Sequence, residues 1–262
     1  MQKRWLHLQL LGSDPWVLPV RNAINQAVRD GRMIEPGKEF NELCSNVSLR
    51  LSLLPRIAIR INKAWRSLSE AIGAREEWHE FTRGKQGYAF PWNHELTLDL
   101  VLDIDSFLFE IFSSAGLMDT LLKRAYRDTH THFQKVGKLG LTRGVLQREG
   151  KDVGWLDRVA ELRNFFIHQA TPYPAVELAS NVPELIILRE NVMYLDDDSK
   201  FVRLSELSTI VRGIQETKGA LQNHLLGLYE ACHKGDSKSN QQDRGSVDPR
   251  HVITDEYTFK KR

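Results

Sequence analysis

One segment of this sequence carries side chains suited to acid–base chemistry on a phosphate: WLDRVAELRNFFIH, residues 155–168. Arg163 can hold a phosphate group through two parallel hydrogen bonds from its guanidinium fork. His168 has a side chain that titrates near neutral pH and can give or take a proton. Asn164 can fix the imidazole tautomer or bind a phosphate oxygen. These groups suit metal-free RNA cleavage, in which the 2′-hydroxyl needs a base, the leaving oxygen an acid, and the pentacovalent phosphate a cation.

The elements that must position this group are read from the apolar spacing. On a helix at about 100° per residue, the face expected to lie in the core consists of Trp155, Val159, Leu162 and Phe166. Arg163 and His168 then differ by roughly 140° in azimuth and about 7.5 Å along the axis. They converge if the helix ends near His168 and the arginine stem swings round. They also converge if two copies of the helix pair across a two-fold interface.

The pattern Arg163-Asn164-x-x-x-His168 near a helix end resembles the motif of the HEPN superfamily, an arginine, usually a polar residue, and a histidine four to six positions on. A second shared feature is the apolar helix LDLVLDIDSFLFEIFSSAG, with acidic residues, upstream of the motif helix. The resemblance covers residues 95–232. It implies a helical bundle that dimerises and brings two motifs into one cleft. Many members are metal-independent endoribonucleases: toxins paired with antitoxins, anticodon nucleases and antiviral effectors.

The resemblance implies a specific set of expectations for this chain. Arg163 and His168 are the expected catalytic residues, supported by Asn164, with no metal and no cofactor. RNA, either tRNA or mRNA, is the expected substrate, in stress response or defence against phage. The expected assembly is a homodimer, with an antitoxin or defence-system protein as a further partner. One feature departs from the toxin branch, where tyrosine follows the histidine two positions on and this chain has Ala170.

Two alternative hypotheses assign the protein to functional classes other than nucleases. The first is a catalytically inactive HEPN-like helical module that serves as an RNA-, nucleotide- or protein-binding regulatory subunit. The second is an unrelated helical interaction protein in which the motif arises by chance. The chain also holds a rival match, Arg127-Asp128-Thr129-His130-Thr131-His132. We prefer the first match because apolar residues anchor it to the core, whereas the rival lies amid polar residues typical of a surface turn.

Charge is unevenly distributed along the chain. Residues 124–151 hold seven basic and two acidic side chains. This excess indicates either a solvated surface or a phosphate-contacting patch, whose candidate RNA-binding residues are Arg124, Arg127, Lys135, Lys138 and Arg143. The same two interpretations apply to a helical stripe, Arg56, Arg60 and Lys63. A loop at 83–92 interleaves basic and aromatic residues, which suits either single-strand stacking or anchoring to the core.

Several candidate residues also have structural interpretations. Arg163 can form a salt bridge with an acid such as Asp103 or Glu110, and an acid that orients the arginine would also support catalysis. His168 can cap its helix, where an imidazolium meets the negative end of the dipole. The acidic seam of the upstream helix is expected to be solvated or to pair with basic side chains of a neighbouring helix. His130 and His132 have side chains of a type that binds metals. No second cluster in the sequence has a plausible ligand spacing, so no metal is expected.

Composition indicates a folded protein of an ordinary class. The 262 residues have a formal net charge of +2, which excludes a histone-like binder driven by basic excess. Two widely separated cysteines exclude a disulfide framework and suit a reducing cytoplasm. The longest apolar run carries four acidic residues, so no membrane span is expected. We predict three regions: an N-terminal helical region at 1–94, a HEPN-like domain at 95–232 and a flexible polar tail at 233–262.

The predicted fold class is all-α, a helical bundle of HEPN type with a small β-hairpin insertion before the last long helix. Periodicity and breaker residues predict helices at 17–30, 39–54, 57–72, 95–123 with a continuation to 136, 152–170 and 205–232. Pro55 is expected to kink or break the second helical stretch. Glycines at 137–150 predict a loose connector. Strands are predicted at 185–188, paired with 192–195, and at 201–204.

Overall fold

The computed structural model describes residues 12–73, 93–133, 137–168, 173–178, 183–189, 197 and 200–232. The backbone is described to His168, while the side chains of Ile167 and His168 lie outside the described part. Four sequence predictions also fall outside it: the basic and aromatic loop at 83–92, the RNA contact at Lys135, the strand at 192–195 and the tail at 233–262.

Six helices and one three-stranded antiparallel sheet make up the described part of the chain. The helices are α1 (Val17–Arg29), α2 (Lys38–Gly73), α3 (His94–Asp128), α4 (Gly140–Arg148), α5 (Gly154–His168) and α6 (Leu204–Ala231). The strands are β1 (Tyr173–Glu177), β2 (Glu184–Leu188) and β3 (Phe201–Arg203). The predicted helical architecture with a small sheet before the last long helix is confirmed. None of the described helices has both the length and the apolar character needed to cross a membrane.

The expected kink or break at Pro55 does not end the helix, because α2 runs as one helix of 36 residues through it. Pro55 is exposed, so its ring meets water rather than the core. Buried apolar residues continue on both sides of it, at Leu51, Leu54 and Ile57. Packing of this stripe against the rest of the core outweighs the lost backbone hydrogen bond, which explains why the local breaker signal misleads here.

The connector predicted at 137–150 is also corrected, because most of it forms helix α4. Its start is fixed by a buried carboxylate from α3. Asp119 accepts hydrogen bonds from the Thr142 backbone N–H at 2.9 Å and from the Thr142 hydroxyl at 3.0 Å. Its second oxygen pairs with Lys123 at 2.8 Å. A side chain 23 positions earlier therefore supplies the helix-start signal that the local glycine-rich sequence lacks.

The sheet has an additional strand that the sequence did not predict. β2 contains the predicted residues 185–188, but it pairs with β1 on one side and with β3 on the other. β1 carries Pro174 yet still forms a strand, because it is an edge strand and one side of its backbone needs no partner in the sheet. A proline at the second position of the strand is therefore compatible with this sheet.

The N-terminus of α6 differs from the prediction by one residue. The predicted helix starts at residue 205, whereas α6 begins at Leu204 with Arg203 in the capping position. The Glu206 carboxylate accepts a hydrogen bond from the Arg203 backbone N–H at 3.1 Å. Glu184 on β2 accepts another from the Ser205 backbone N–H at 3.3 Å, which ties the sheet to the start of the helix.

One hydrophobic core holds buried residues from all six helices and from β2 and β3. The motif-bearing helix α5 is seated in it by an unusually close approach to α6. A Cβ built on Gly213 would lie 2.3 Å from Cγ of Trp155, well inside van der Waals contact. Glycine is thus required at this position because the indole of Trp155 occupies the space that any side chain would need.

Candidate functional site

Helix α5 presents one face to the core and another to solvent, as the apolar spacing predicted. Trp155, Val159 and Leu162 are buried, in agreement with the predicted core stripe. Phe166 was expected to be buried with them but is only half-buried, and Phe165 occupies the core in its place. This rotation by one residue leaves Phe166 in a shallow groove beside Leu98 and Leu102 of α3.

The polar stripe of α5 changes character along the helix. Near its start, Asp157 accepts two hydrogen bonds from Arg143, at 3.0 and 2.5 Å. One turn later, Glu161 pairs with Arg158 and with Arg189, which holds the pKa of its carboxyl below the usual value. Asn164 is exposed on the next turn, and His168 is the last helical residue. The N-terminal half of the stripe is therefore acidic and paired, and its C-terminal half carries the predicted site.

Arg163 is held by aromatic rings rather than by a carboxylate. Its guanidinium carbon lies 5.2 Å from the centroid of Phe112 and 5.8 Å from that of Phe109, both on α3. The Nε atom is buried and has no hydrogen-bond partner among the described residues. Among the described residues, no acid lies within salt-bridge distance of Arg163. A half-buried cation of this kind is a favourable place for an anion, because nothing in its described surroundings neutralises the charge.

The salt bridge expected between Arg163 and Asp103 or Glu110 is not formed. Asp103 pairs with Arg60, and Glu110 pairs with Arg50 at 2.5 Å. Both arginines belong to α2, so the acidic seam of α3 pairs with a neighbouring helix, which is the interpretation that the sequence also offered. These two acids are structural partners of α2 and do not orient Arg163.

The five candidate RNA-binding residues do not form a single free patch. Arg124 is bonded to Asp128 at 2.9 Å, and Arg143 is bonded to Asp157. Arg127 is exposed, and Lys135 lies outside the described residues. Lys138 is the member that shares a ring contact with Arg163, because its ammonium lies 4.3 Å from the centroid of Phe112 on α3, the same ring that contacts Arg163.

Cations and rings alternate across this surface. Arg50 lies 5.5 Å from the centroid of Phe109, Arg163 contacts both rings, and Lys138 lies over Phe112. We call this set, Arg50, Phe109, Arg163, Phe112 and Lys138, the cation–aromatic strip. Sequence reasoning missed both phenylalanines and Arg50. Their spacing of three places the two rings on one side of α3, but only the tertiary structure brings in cations from three other segments.

The rival motif has different surroundings. Arg127 and His132 are both exposed, and α3 ends at Asp128, before the histidine. Asp128 is bonded to Arg124, and burial raises the pKa of its carboxyl despite that arginine. The Tyr126 hydroxyl and Nε2 of His224 on α6 share a hydrogen bond of 2.8 Å. Arg127 and His132 thus project from a structural cluster and share no described contact with each other.

No three His, Cys, Asp or Glu side chains lie together as a metal site in the described ranges. The two cysteines, Cys44 and Cys232, are both buried and are not joined to each other by a disulfide. Burial raises the pKa of the Cys44 thiol to about 11, so it stays protonated and unreactive near neutral pH.

Comparison of the chain with family models, with curated proteins and with solved structures found no match.

Proposed function

We propose that this protein is a metal-independent endoribonuclease of HEPN type. The observation that carries the proposal is the state of Arg163, a half-buried cation seated on two phenylalanine rings with no acidic partner in the described part of the chain. A structural arginine on a helix surface is expected to be solvated or paired. An arginine fixed in place and left unneutralised is suited to bind a phosphate and to stabilise the extra charge of its transition state.

The reaction needs only the groups of this motif. An imidazole takes the proton of the 2′-hydroxyl, whose oxygen attacks the adjacent phosphorus and expels the 5′-oxygen of the next nucleotide. An imidazolium donates a proton to that leaving oxygen. The products are a 2′,3′-cyclic phosphate and a 5′-hydroxyl. In this assignment His168 moves the protons, Arg163 holds the phosphate, and Asn164 fixes the imidazole or binds a phosphate oxygen.

A homodimer completes the proposed site. Because α5 is helical to His168, the backbone directs Arg163 and His168 roughly 140° apart. Pairing two α5 ends would place the arginine of one copy near the histidine of the other. An exposed apolar stripe on α3 next to Phe166, including Leu98 and Leu102, offers a surface for such pairing. A role in stress response or anti-phage defence, in the cytoplasm and with an antitoxin or defence-system partner, is part of the proposal.

The test is incubation of the purified protein with tRNA and total RNA in excess EDTA, with Arg163→Ala and His168→Ala beside the wild type. Arg127→Ala and His132→Ala are the matched controls, since they remove the same residue types at the same spacing. Cleavage that survives chelation, leaves 2′,3′-cyclic phosphate ends and is lost only in the first pair supports the proposal. Loss only in the second pair would move the site to the rival motif.

A second candidate function is a catalytically inactive module that binds RNA, a nucleotide or a protein. The divergence of Arg163 and His168 on one helix favours it, since a single copy then holds an anion site without a complete acid–base set. A strictly monomeric wild type that binds RNA but leaves it intact would establish this alternative.

A further inference from the structure

The cation–aromatic strip contains Arg163 and extends beyond the motif to side chains of other segments. Phe109 and Phe112 are one turn apart on α3. Arg50 from α2 lies at the Phe109 end, Lys138 from the segment before α4 lies at the Phe112 end, and Arg163 contacts both rings between them. Four separate segments therefore contribute side chains to one continuous surface beside the proposed catalytic arginine.

The charge of the strip is suited to more than one phosphate. Lys138 and Arg163 approach the same ring and have no carboxylate within salt-bridge distance in the described ranges. Arg50 shares its charge with a single acid, Glu110. Two neighbouring cations without counterions repel each other, and phosphates along a strand relieve that repulsion while releasing the strand's own counterions.

The rings distinguish an unpaired strand from a duplex. Phe109 is 40% exposed, although it lies beside the core. Aromatic rings and guanidinium planes bind nucleotides by stacking on bases, which requires bases freed from the stack of an A-form helix. A duplex would present only phosphates and ribose hydroxyls to this surface, so that no base would stack on Phe109.

From these observations we infer that the cation–aromatic strip binds single-stranded RNA, with one base stacked on Phe109 and the flanking phosphates held by Lys138, Arg163 and Arg50. The inference rests on the proposed function, because it supplies the substrate class of that site: unpaired RNA, such as a loop, rather than a double helix. Phe109 and Lys138 are binding residues in this assignment, and the phosphate chemistry stays with Arg163.

The experiment uses a short single-stranded RNA whose 2′-positions are methylated, so that binding is measured without cleavage. A 2-aminopurine base in the strand reports stacking through loss of its fluorescence. We expect Phe109→Leu to weaken binding about fivefold to a hundredfold and to abolish the quenching. The matched control is Tyr173→Leu, which removes an aromatic ring of equal exposure, 41%, from β1 outside the strip. Lys138→Gln should lower the salt dependence of binding by about one counterion, whereas Lys151→Gln should not.

The inference is overturned if Phe109→Leu binds and quenches like the wild type, if Tyr173→Leu loses as much, or if a matched duplex binds as tightly as the single strand. Cleavage of unmodified RNA separates this result from the proposed function. Binding that depends on Phe109 without any cleavage removes the nuclease and keeps the strip. Cleavage with an unchanged kcat/KM in Phe109→Leu and Lys138→Gln keeps the nuclease and removes the strip.

Discussion

Two regions of this molecule carry an arginine and a histidine at the same spacing, and they differ in everything around those residues. Arg163 lies at the edge of the buried face of its helix, and two aromatic rings support its guanidinium. Arg127 lies on the last turn of α3 and is exposed, and its histidine comes after the helix has ended. The spacing of the arginine and the histidine alone does not distinguish the two regions.

The difference lies in how each arginine is held. A guanidinium that is fixed on rings loses little conformational entropy when an anion binds, so more of the interaction energy is retained. An exposed arginine must give up its rotamer freedom and its hydration first. For this reason the surroundings of a charged residue are better evidence of a phosphate site than its distance from a histidine in sequence.

The largest effect is expected from a substitution that keeps the charge and removes the fork. Arg163→Lys should lower the rate of RNA cleavage by about a hundredfold to a thousandfold, because lysine lacks the planar pair of donors that stabilise the pentacovalent phosphate. Arg127→Lys, the same change in the rival region, should leave the rate within about twofold. Single-turnover cleavage in EDTA measures both. An equal loss in the two variants would end the distinction between the regions.

The next effect concerns the packing of α5 against α6. The region of Arg163 depends on this packing, because Arg163 lies on α5, and the region of Arg127 does not. Gly213→Ala should lower the free energy of unfolding by about 1–3 kcal/mol or more, because the new methyl group meets the rigid indole of Trp155. The control is Gly227→Ala on the same helix, where nothing lies within 4 Å of the added carbon. That change should raise the free energy by about 0.5–1 kcal/mol. Urea titration measures both free energies. A Gly213→Ala protein with the unfolding free energy of the wild type would contradict the packing described for α5.

The extent to which the sequence predicted the fold depends on where the deciding contacts lie. Helix α1 and the motif helix were predicted within two residues, because an apolar stripe and nearby breakers are local signals. Helix α4 was missed because its helix-start signal is Asp119, far away on α3. Pro55 and Pro174 misled because an exposed helix face and a sheet edge each tolerate a missing donor.

The candidate site shows the same division between local and distant information. The spacing identified Arg163, and periodicity placed it at the edge of the buried face. Its partners were not predictable, because Phe109, Phe112 and Lys138 reach it from other segments. Asp103 and Glu110 pair with arginines of α2, which is the neighbouring-helix alternative that the sequence offered, and not with Arg163, the other alternative.

A smaller loss of stability is expected from the hydrogen bonds between α3 and α4, the helix that lies between the two arginine–histidine regions in the sequence. Asp119 is 2% exposed and accepts both the backbone and the side-chain hydrogen bond of Thr142. Asp119→Ala should lower the free energy of unfolding by about 1–3 kcal/mol, because a buried N–H loses its acceptor. Asp119→Asn retains a carbonyl oxygen and should lose less. Similar losses in the two variants, measured by thermal unfolding, would show that the charge rather than the acceptor matters.

The smallest effect is a pH dependence that distinguishes two histidines near the rival motif. His224 on α6 is half-buried and bonded to Tyr126, whereas His132 is exposed. Burial, aided by nearby Arg148 and opposed by Glu149, holds the pKa of His224 below its ordinary value of 6.5. The neutral imidazole is therefore favoured in the folded protein, and the unfolded chain takes up a proton first as the pH falls. The stability that the neutral form contributes is present above pH 6.5 and is lost as the pH falls through the folded pKa, with a slope of at most about 1.4 kcal/mol per pH unit.

His224→Gln should remove this slope and reduce the loss of unfolding free energy between about pH 8 and about pH 5. His132→Gln should leave the loss unchanged, because the exposed His132 side chain takes no part in the hydrogen bond between His224 and Tyr126. Denaturant titrations across this range measure the difference. Identical slopes in the wild type and His224→Gln would mean that burial does not favour the neutral imidazole of His224 in the folded protein. The contact between Tyr126 and His224 would then no longer identify the rival region as structural. His132 would again be a candidate for proton transfer.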